Sequence, residues 1–277
     1  MNVWHDNKKI ALSAAHNIST ESTTFDFHFH DTYEIFFFIS GKAQMFVTSR
    51  KYLLHPGSLL FLNTNEIHRV FPDFSAPYER MTVNFNPALI HSLPLNAYNP
   101  LACFQNTRID NCNIAELDKA SSNKCYELIT HMISALKSPK SSDELLALSY
   151  LLQLLALGND EFSKSNTHAL PFPKLIEDAL KIINDRISEP ISLEIIACEL
   201  SVDPFYLGHE FKKHTGTSPY HYIITKRIAL AKESLANGAN GLQACEESGF
   251  GEYTNFCRTF KKYVSLSPMQ YQKSLCQ

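Results

Sequence analysis

The sequence predicts an α+β chain in two parts, a β-rich barrel with following helices and then an all-α C-terminal part. Three observations carry this. Short runs of Phe, Tyr, Ile and Val, broken by turn residues, fill the chain to about residue 110. The hydrophobic period then becomes helical. Finally, the second half contains an internal repeat. The expected division is a first domain over 1–158, a linker over 159–171 and a second domain over 172–277.

In chain order, the strand candidates are Phe25–Phe29, Glu34–Ile39, Met45–Thr48, Leu59–Leu62 and Met81–Phe85. Gly41, Pro56-Gly57, Asn63-Thr64-Asn65 and Pro72-Asp73 punctuate them, as in a β-sandwich or barrel. Strand alternation puts Phe25, Phe27 and Phe29 on one face and Asp26, His28 and His30 on the other. Residues 114–136 and 143–157 are the first helix candidates. The second is apolar almost all round, so it must be buried in its own domain or against a second subunit. The polar stretch 158–171 has no periodicity and reads as a linker.

The gross numbers exclude several classes. The 277 residues are 44% hydrophobic, enough for globular cores. The richest apolar stretch, Leu145–Leu157, is too short to cross a membrane. The first nine residues lack the apolar core of a signal peptide, so the cytoplasm is the expected location. Seven cysteines with no CxxC pair suit reduced thiols better than disulfides or a thiolate zinc site. Cys198 and Cys245 read as small buried hydrophobes. Net charge is −3 overall and zero over 172–277, so any nucleic-acid binding must rest on locally placed charge.

The repeat pairs Leu207-Gly-His-Glu-Phe211-Lys212-Lys213 with Phe256-Cys-Arg-Thr-Phe260-Lys261-Lys262. Ser218-Pro219 and Ser267-Pro268 follow, and each unit is preceded by a short helix and a turn. Asp203 is placed to N-cap a helix whose first residue is Pro204. Gly249 suits a turn of positive φ. Leu207 and Phe211 share a face that can pack on Ala197 and Leu200, which leaves the opposite face free. A short helix exposed after a sharp turn is the reading element of a helix-turn-helix. The periodic segment from Pro219 to Leu235 would span roughly 25 Å, enough to set two such helices about one duplex turn apart.

Over about residues 173–272 the chain resembles the AraC/XylS family of transcription regulators. Ile195-Ile196-Ala197, Asp203-Pro204, Tyr206-Leu207, Phe211-Lys212-Lys213, Gly216, Pro219, Tyr222, Arg227 and Ala231 carry the likeness in the first unit and its connector. Gly249-Phe250, Phe256, Arg258, Phe260-Lys261-Lys262, Pro268 and Tyr271 carry it in the second. Cys245, Gly241, Glu252, Ser265 and Gln272 depart from the family pattern and make the second unit look the less stable. The resemblance implies base contacts from Phe205, Gly208 and His209, and from Tyr253, Thr254, Asn255 and Arg258. Arg258 suits guanine and Asn255 adenine. Lys212, Lys213, Lys261 and Lys262 would reach phosphates.

In the first half, His28-x-His30-x3-Glu34-x6-Gly41 resembles the first cupin motif, and Gly57-x5-Asn63 to His68 keeps the spacing of the second without its usual Pro and Gly. In cupin enzymes such positions hold a divalent metal. AraC-type sensor domains commonly keep the pattern without one. The expected use is a small-molecule pocket at His28, His30, Tyr33, Glu34 and His68, with no metal or cofactor. Phe36, Phe38, Phe46 and Phe61 suit either a pocket lining or ordinary core.

The expected function is a non-enzymatic, sequence-specific regulator, an activator rather than a repressor, controlled by a small-molecule effector such as a sugar. Its expected partners are double-stranded DNA, the effector, a second copy through helix 143–157, and RNA polymerase. The alternative is a cupin metal-binding protein or metalloenzyme with an appended DNA-binding module.

Overall fold

The computed structural model describes residues 11–21, 27–64, 66–93, 98–105, 114–138, 140–164 and 169–275. The expected strand start at Phe25, the face position of Asp26, the motif residue Asn65, the N-terminal segment, Cys112 and Cys276 lie outside them.

Among the described residues, eight antiparallel strands form two sheets. β1 (Leu12–Ser19), β7 (Tyr78–Phe85), β2 (Tyr33–Ser40), β5 (Ser58–Leu62) and β8 (Ile114–Glu116) make the first, in that order. β4 (Arg50–Leu54), β3 (Lys42–Val47) and β6 (His68–Asp73) make the second. The period of two sorts each strand between two cores. Phe36, Phe38, Leu60 and Leu62 face the second sheet and meet Ala43, Met45, Val47, Tyr52 and Val70 between the layers. Ile35, Phe37, Leu59, Phe61, Met81, Val83 and Phe85 face outward and are covered by helices.

Those helices are α2 (Lys119–Lys137) and α3 (Ser141–Lys164), preceded by a single turn α1 (Ala88–His91) and a 3₁₀ turn at Ala102–Phe104. The helix expected from residue 114 begins later. Ile114–Glu116 pairs with β5, and Asp118 caps α2 by accepting from the Ser121 amide. α3 runs past the expected end at Leu157. Gly158 packs its bare Cα against Phe61, and Phe162 joins the core one turn on. The first six residues of the stretch read as linker are therefore helical, because an apolar anchor was hidden in a polar run. Ala147, Leu151, Leu154 and Leu155 bury α3 in its own domain, while Leu145 and Leu146 stay exposed.

The C-terminal part is helical throughout. α4 (Lys174–Asp185), α5 (Leu193–Glu199) and α6 (Pro204–Thr215) form the first unit, and α8 (Gly241–Glu247), α9 (Tyr253–Val264) and α10 (Pro268–Leu275) form the second. α7 (Pro219–Ala236) joins them and belongs to both cores. Tyr222 and Ile223 pack with Ile196, Leu207 and Phe211, while Ile224, Ile228, Ala231 and Leu235 pack with Phe250, Phe256 and Phe260. No helix among the described residues is long and apolar enough to cross a membrane.

The outer face of the second sheet is the floor on which the first unit sits. Phe27, Phe46 and Ile67 are buried in the same cluster as Ile176, Leu180, Phe211 and Tyr222. Arg69 donates through Nη1 to the Gly216 carbonyl at 2.6 Å, and the Tyr222 hydroxyl donates to the Thr48 carbonyl at 2.6 Å. The Lys232 ammonium pairs with Asp31 and lies over the rings of Phe29 and Tyr271. Burial pulls that ammonium below its usual range, against the attraction of Asp31.

Candidate DNA-reading helices and effector site

α6 is built as the sequence predicts. Asp203 accepts from the Tyr206 amide at 2.9 Å, Pro204 opens the helix, and Gly216 closes it at φ 79°. Leu207 and Phe211 turn inward. Phe205 (84% exposed), His209, Lys212 and Lys213 line the outer face. Gly208 does not belong with them. A Cβ there would come within 3.3 Å of Leu193 Cδ2, so this residue faces α5 and lets the two helices approach. Its place on the outer face is taken by Tyr206, 52% exposed, which the sequence reading counted only as a family position. Glu210 collects the charge of this helix: Lys213 Nζ lies 3.0 Å away, with His209 and His214 each at 3.4 Å.

α9 presents Tyr253, Thr254, Asn255, Arg258, Lys261 and Lys262 to solvent, with Phe256, Phe260 and Val264 inside. Arg258, Lys261 and Lys262 have no ion-pair partner among the described residues. Glu252 makes no side-chain cap, and Ser265 takes the left-handed C-cap (φ 62°) where a glycine would fit without strain. Other departures are compensated. Asn240 and Gln243 form a capping box on α8, and Gln272 donates to the Ala239 carbonyl. Gly241 makes room for Tyr253, whose hydroxyl would lie 2.7 Å from a Cβ there. Tyr253 is thus folded partly back onto α8. Of the two thiols expected to be buried, Cys245 is and Cys198 is exposed, because Cys198 sits on the outer side of α5.

The effector-site residues divide. Tyr33 and Glu34 are neighbours on a strand, so they face opposite ways. Tyr33 stacks on Phe104 (ring centroids 4.4 Å apart) on the helix side. Glu34 points between the sheets, buried with His68 and beside the half-buried His30. His30 Nε2 is 2.7 Å and His68 Nε2 3.6 Å from Glu34 Oε2. His28 pairs across to His68 through backbone hydrogen bonds of 3.1 and 3.0 Å, and its ring meets the His68 ring edge-on at 4.2 Å. It remains exposed, so the structure joins three of the expected residues closely and leaves His28 at the rim and Tyr33 outside.

Backbone carbonyls fix both imidazoles. His30 Nδ1 lies 2.8 Å from the Thr32 carbonyl, and His68 Nδ1 lies 2.8 Å from the Glu66 carbonyl. A carbonyl only accepts, so each Nδ1 carries hydrogen and each Nε2 is turned toward Glu34. Burial works to raise the Glu34 carboxyl. The His30 hydrogen bond and the attraction of both histidines outweigh it and hold the group well below the ordinary carboxylate range. Burial works to lower His30, and the Glu34 contact reverses it, so its pKa lies above the usual value.

A cleft of about 480 Å³ lies elsewhere, between the β3–β4 turn at Ser49 and Arg50, the segment Ala169–Phe172, and α4. It is open and mixed in lining. The buried His–Glu cluster is the better-defined chemistry, with three convergent polar groups whose orientation is fixed.

The AraC-like ligand binding domain family matches residues 11–155, and a helix-turn-helix domain family matches 196–274. The chain is 23% identical over 255 residues to the uncharacterized HTH-type transcriptional regulator YdiP of Escherichia coli K12, covering 89% of this chain and 80% of that one. It is 26% identical over 238 residues to the arabinose operon regulatory protein of Salmonella typhimurium, covering 84% and 81%. It is 23% identical over 234 residues to the lactose operon transcription activator of Staphylococcus xylosus, covering 84% and 80%.

Proposed function

The chain belongs to the AraC/XylS family of ligand-controlled, DNA-binding transcription regulators, and from that premise we propose how its parts divide the work. α6 and α9 enter two successive major grooves. Phe205, Tyr206 and His209 read bases in one, and Tyr253, Thr254, Asn255 and Arg258 in the other, while Lys212, Lys213, Lys261 and Lys262 hold phosphates. The observation that carries this reading is the sidedness of the two helices. Each buries its Leu/Phe or Phe/Phe stripe and exposes its polar and aromatic residues, with α7 shared between the two cores.

The effector acts at the His30–Glu34–His68 cluster, and strand alternation couples it to the first unit. In 27–31, His30 faces the cluster, while Phe27 packs in the first-unit core, Phe29 packs at both cores and Asp31 holds Lys232. In β6, His68 faces the cluster while Arg69 holds Gly216. A ligand that reshapes the cluster moves residues that grip the DNA-binding domain. It controls DNA binding to the extent that it prefers one docking over the other.

Two relatives, a regulatory protein of an arabinose operon and a transcription activator of a lactose operon, favour a sugar as effector and activation as output. A second copy docks at the exposed Leu145 and Leu146 end of α3. The assembly works in the cytoplasm, touches RNA polymerase and performs no catalysis. The helix-turn-helix match and the regulator relatives favour a sensor over a metalloenzyme.

Selection of random duplex DNA on the purified protein, read at two salt concentrations, tests the proposal. A motif of two half-sites about one helical turn apart supports it. Binding that vanishes with salt whatever the sequence overturns it.

A further inference from the structure

We propose that His30, Glu34 and His68 bind one divalent first-row transition-metal ion, whose remaining coordination positions receive an oxygen-rich effector. The inference rests on the reading of this cluster as the effector site and names its chemistry. It starts from hydrogen positions. Both Nδ1 atoms are committed as donors to backbone carbonyls, Thr32 for His30 and Glu66 for His68. In the neutral rings each Nε2 is therefore a lone pair, and both lone pairs converge on a buried carboxylate, which also only accepts. Three acceptors facing one another, Glu34 and His68 buried and His30 half-buried, call for a positive species between them.

A proton meets only part of that need. An imidazolium at His30 would donate to Glu34 across 2.7 Å. It leaves His68 Nε2 buried with no hydrogen-bond partner among the described residues, and 3.6 Å from the carboxylate that ring is beyond hydrogen-bond reach. One cation satisfies all three groups. The candidate ligand atoms lie within 4.8 Å of one another. Two imidazoles and one carboxylate are the donors that zinc, iron(II), cobalt, nickel and manganese accept, and three protein ligands leave open positions. The Nδ1-to-carbonyl bonds are the outer-shell support that metal-binding histidines require. His28 is exposed and lies outside the set, so the site has three members, not the four that the motif spacing suggests.

Hydroxyls of a polyol or hydroxy acid are suitable for the open positions. Loading then tightens the cluster, and the strand neighbours Phe29, Asp31 and Arg69 pass the change to Lys232 and Gly216.

The test is titration of chelator-stripped full-length protein with cobalt(II), zinc, nickel, manganese and iron(II), followed by calorimetry and by the visible absorption of the cobalt form. One ion per chain with a nitrogen-ligand cobalt spectrum is the expected result. His30→Gln and His68→Gln, checked for folding by circular dichroism, should weaken uptake by more than about 100-fold, beyond what loss of an outer-shell partner costs. His28→Gln should bind as the wild type does. Folded wild-type protein that takes up none of these ions overturns the proposal, as does uptake that survives both ligand substitutions or is abolished by His28→Gln. Selective DNA binding is measured on the same samples. Selective binding by protein that takes up no ion sinks the metal site and leaves the regulator reading standing; ion uptake without selective binding does the reverse.

Discussion

The two helix-turn-helix units are copies in sequence but differ in what holds them. The first shares its core with the N-terminal domain through Phe27, Phe46 and Ile67, and is tied down by Arg69 on Gly216 and Tyr222 on Thr48. The second keeps a core of its own and meets the N-terminal domain at Phe29, with Lys232–Asp31 beside it. Their outer faces differ too. In α6 Glu210 gathers Lys213, His209 and His214, so that face offers less free positive charge. In α9 Arg258, Lys261 and Lys262 stand unpaired among the described residues. The difference is one of attachment and charge: the first unit is docked on the N-terminal domain, and α9 of the second presents cations with no ion-pair partner among the described residues.

The strongest break in this comparison comes from Arg258→Ala, which should weaken binding to the selected site by about 1–3 kcal/mol, with much less effect on random DNA. Titrations with both duplexes measure it, and equal loss on both would remove Arg258 from base reading. Next is Gly216→Ala. The residue sits at φ 79°, and its Cβ would meet Phe71 Cε1 at 2.4 Å. We expect a loss of about 1–2 kcal/mol in thermal or denaturant unfolding. Part of it should return in the double variant with Phe71→Ala, because the clash but not the backbone strain is relieved. A cycle with no coupling would mean that Phe71 does not press on this turn.

A finer contrast is Lys261→Ala against Lys213→Ala. The first should flatten the dependence of log affinity on log salt by close to one unit, and the second by less, because Glu210 already balances Lys213. Equal slopes would erase the proposed asymmetry. Smallest is Glu252→Asp, which supplies the missing cap of α9 and should stabilise the protein by about 0.5–1 kcal/mol. No gain in midpoint would show that the α9 terminus is already satisfied by its surroundings.

The sequence was most readable where local chemistry decides structure. Asp203-Pro204, the Leu207/Phe211 spacing and the length of α7 all follow from capping and the helical period, and the structure agrees with each. It was less readable where a third element decides. Gly208 stands about 100° around the helix from Leu207, at the border between the two faces, and only the approach of α5 shows that it faces Leu193 rather than solvent. Tyr33 is different, since the strand period alone separates it from Glu34. The docking of Phe27 and Phe46 on the first unit has no signature, because an aromatic residue facing another domain looks like any core residue. Nor could the orientation of His30 and His68 be read, since it depends on the carbonyls of Thr32 and Glu66.

α7, with its two ends built into two cores, acts as a ruler. It has no glycine and no proline after its first residue, so nothing within it bends easily. A promoter that gains one base pair between the half-sites turns the second groove by roughly 35° about the duplex axis, given about 10 base pairs per turn. The protein cannot follow that rotation without breaking into one of the cores that α7 completes. On the proposed reading by α6 and α9, spacing between half-sites is as strict a part of the target as the bases themselves, and a genome search for operators should hold that distance fixed while letting individual bases vary.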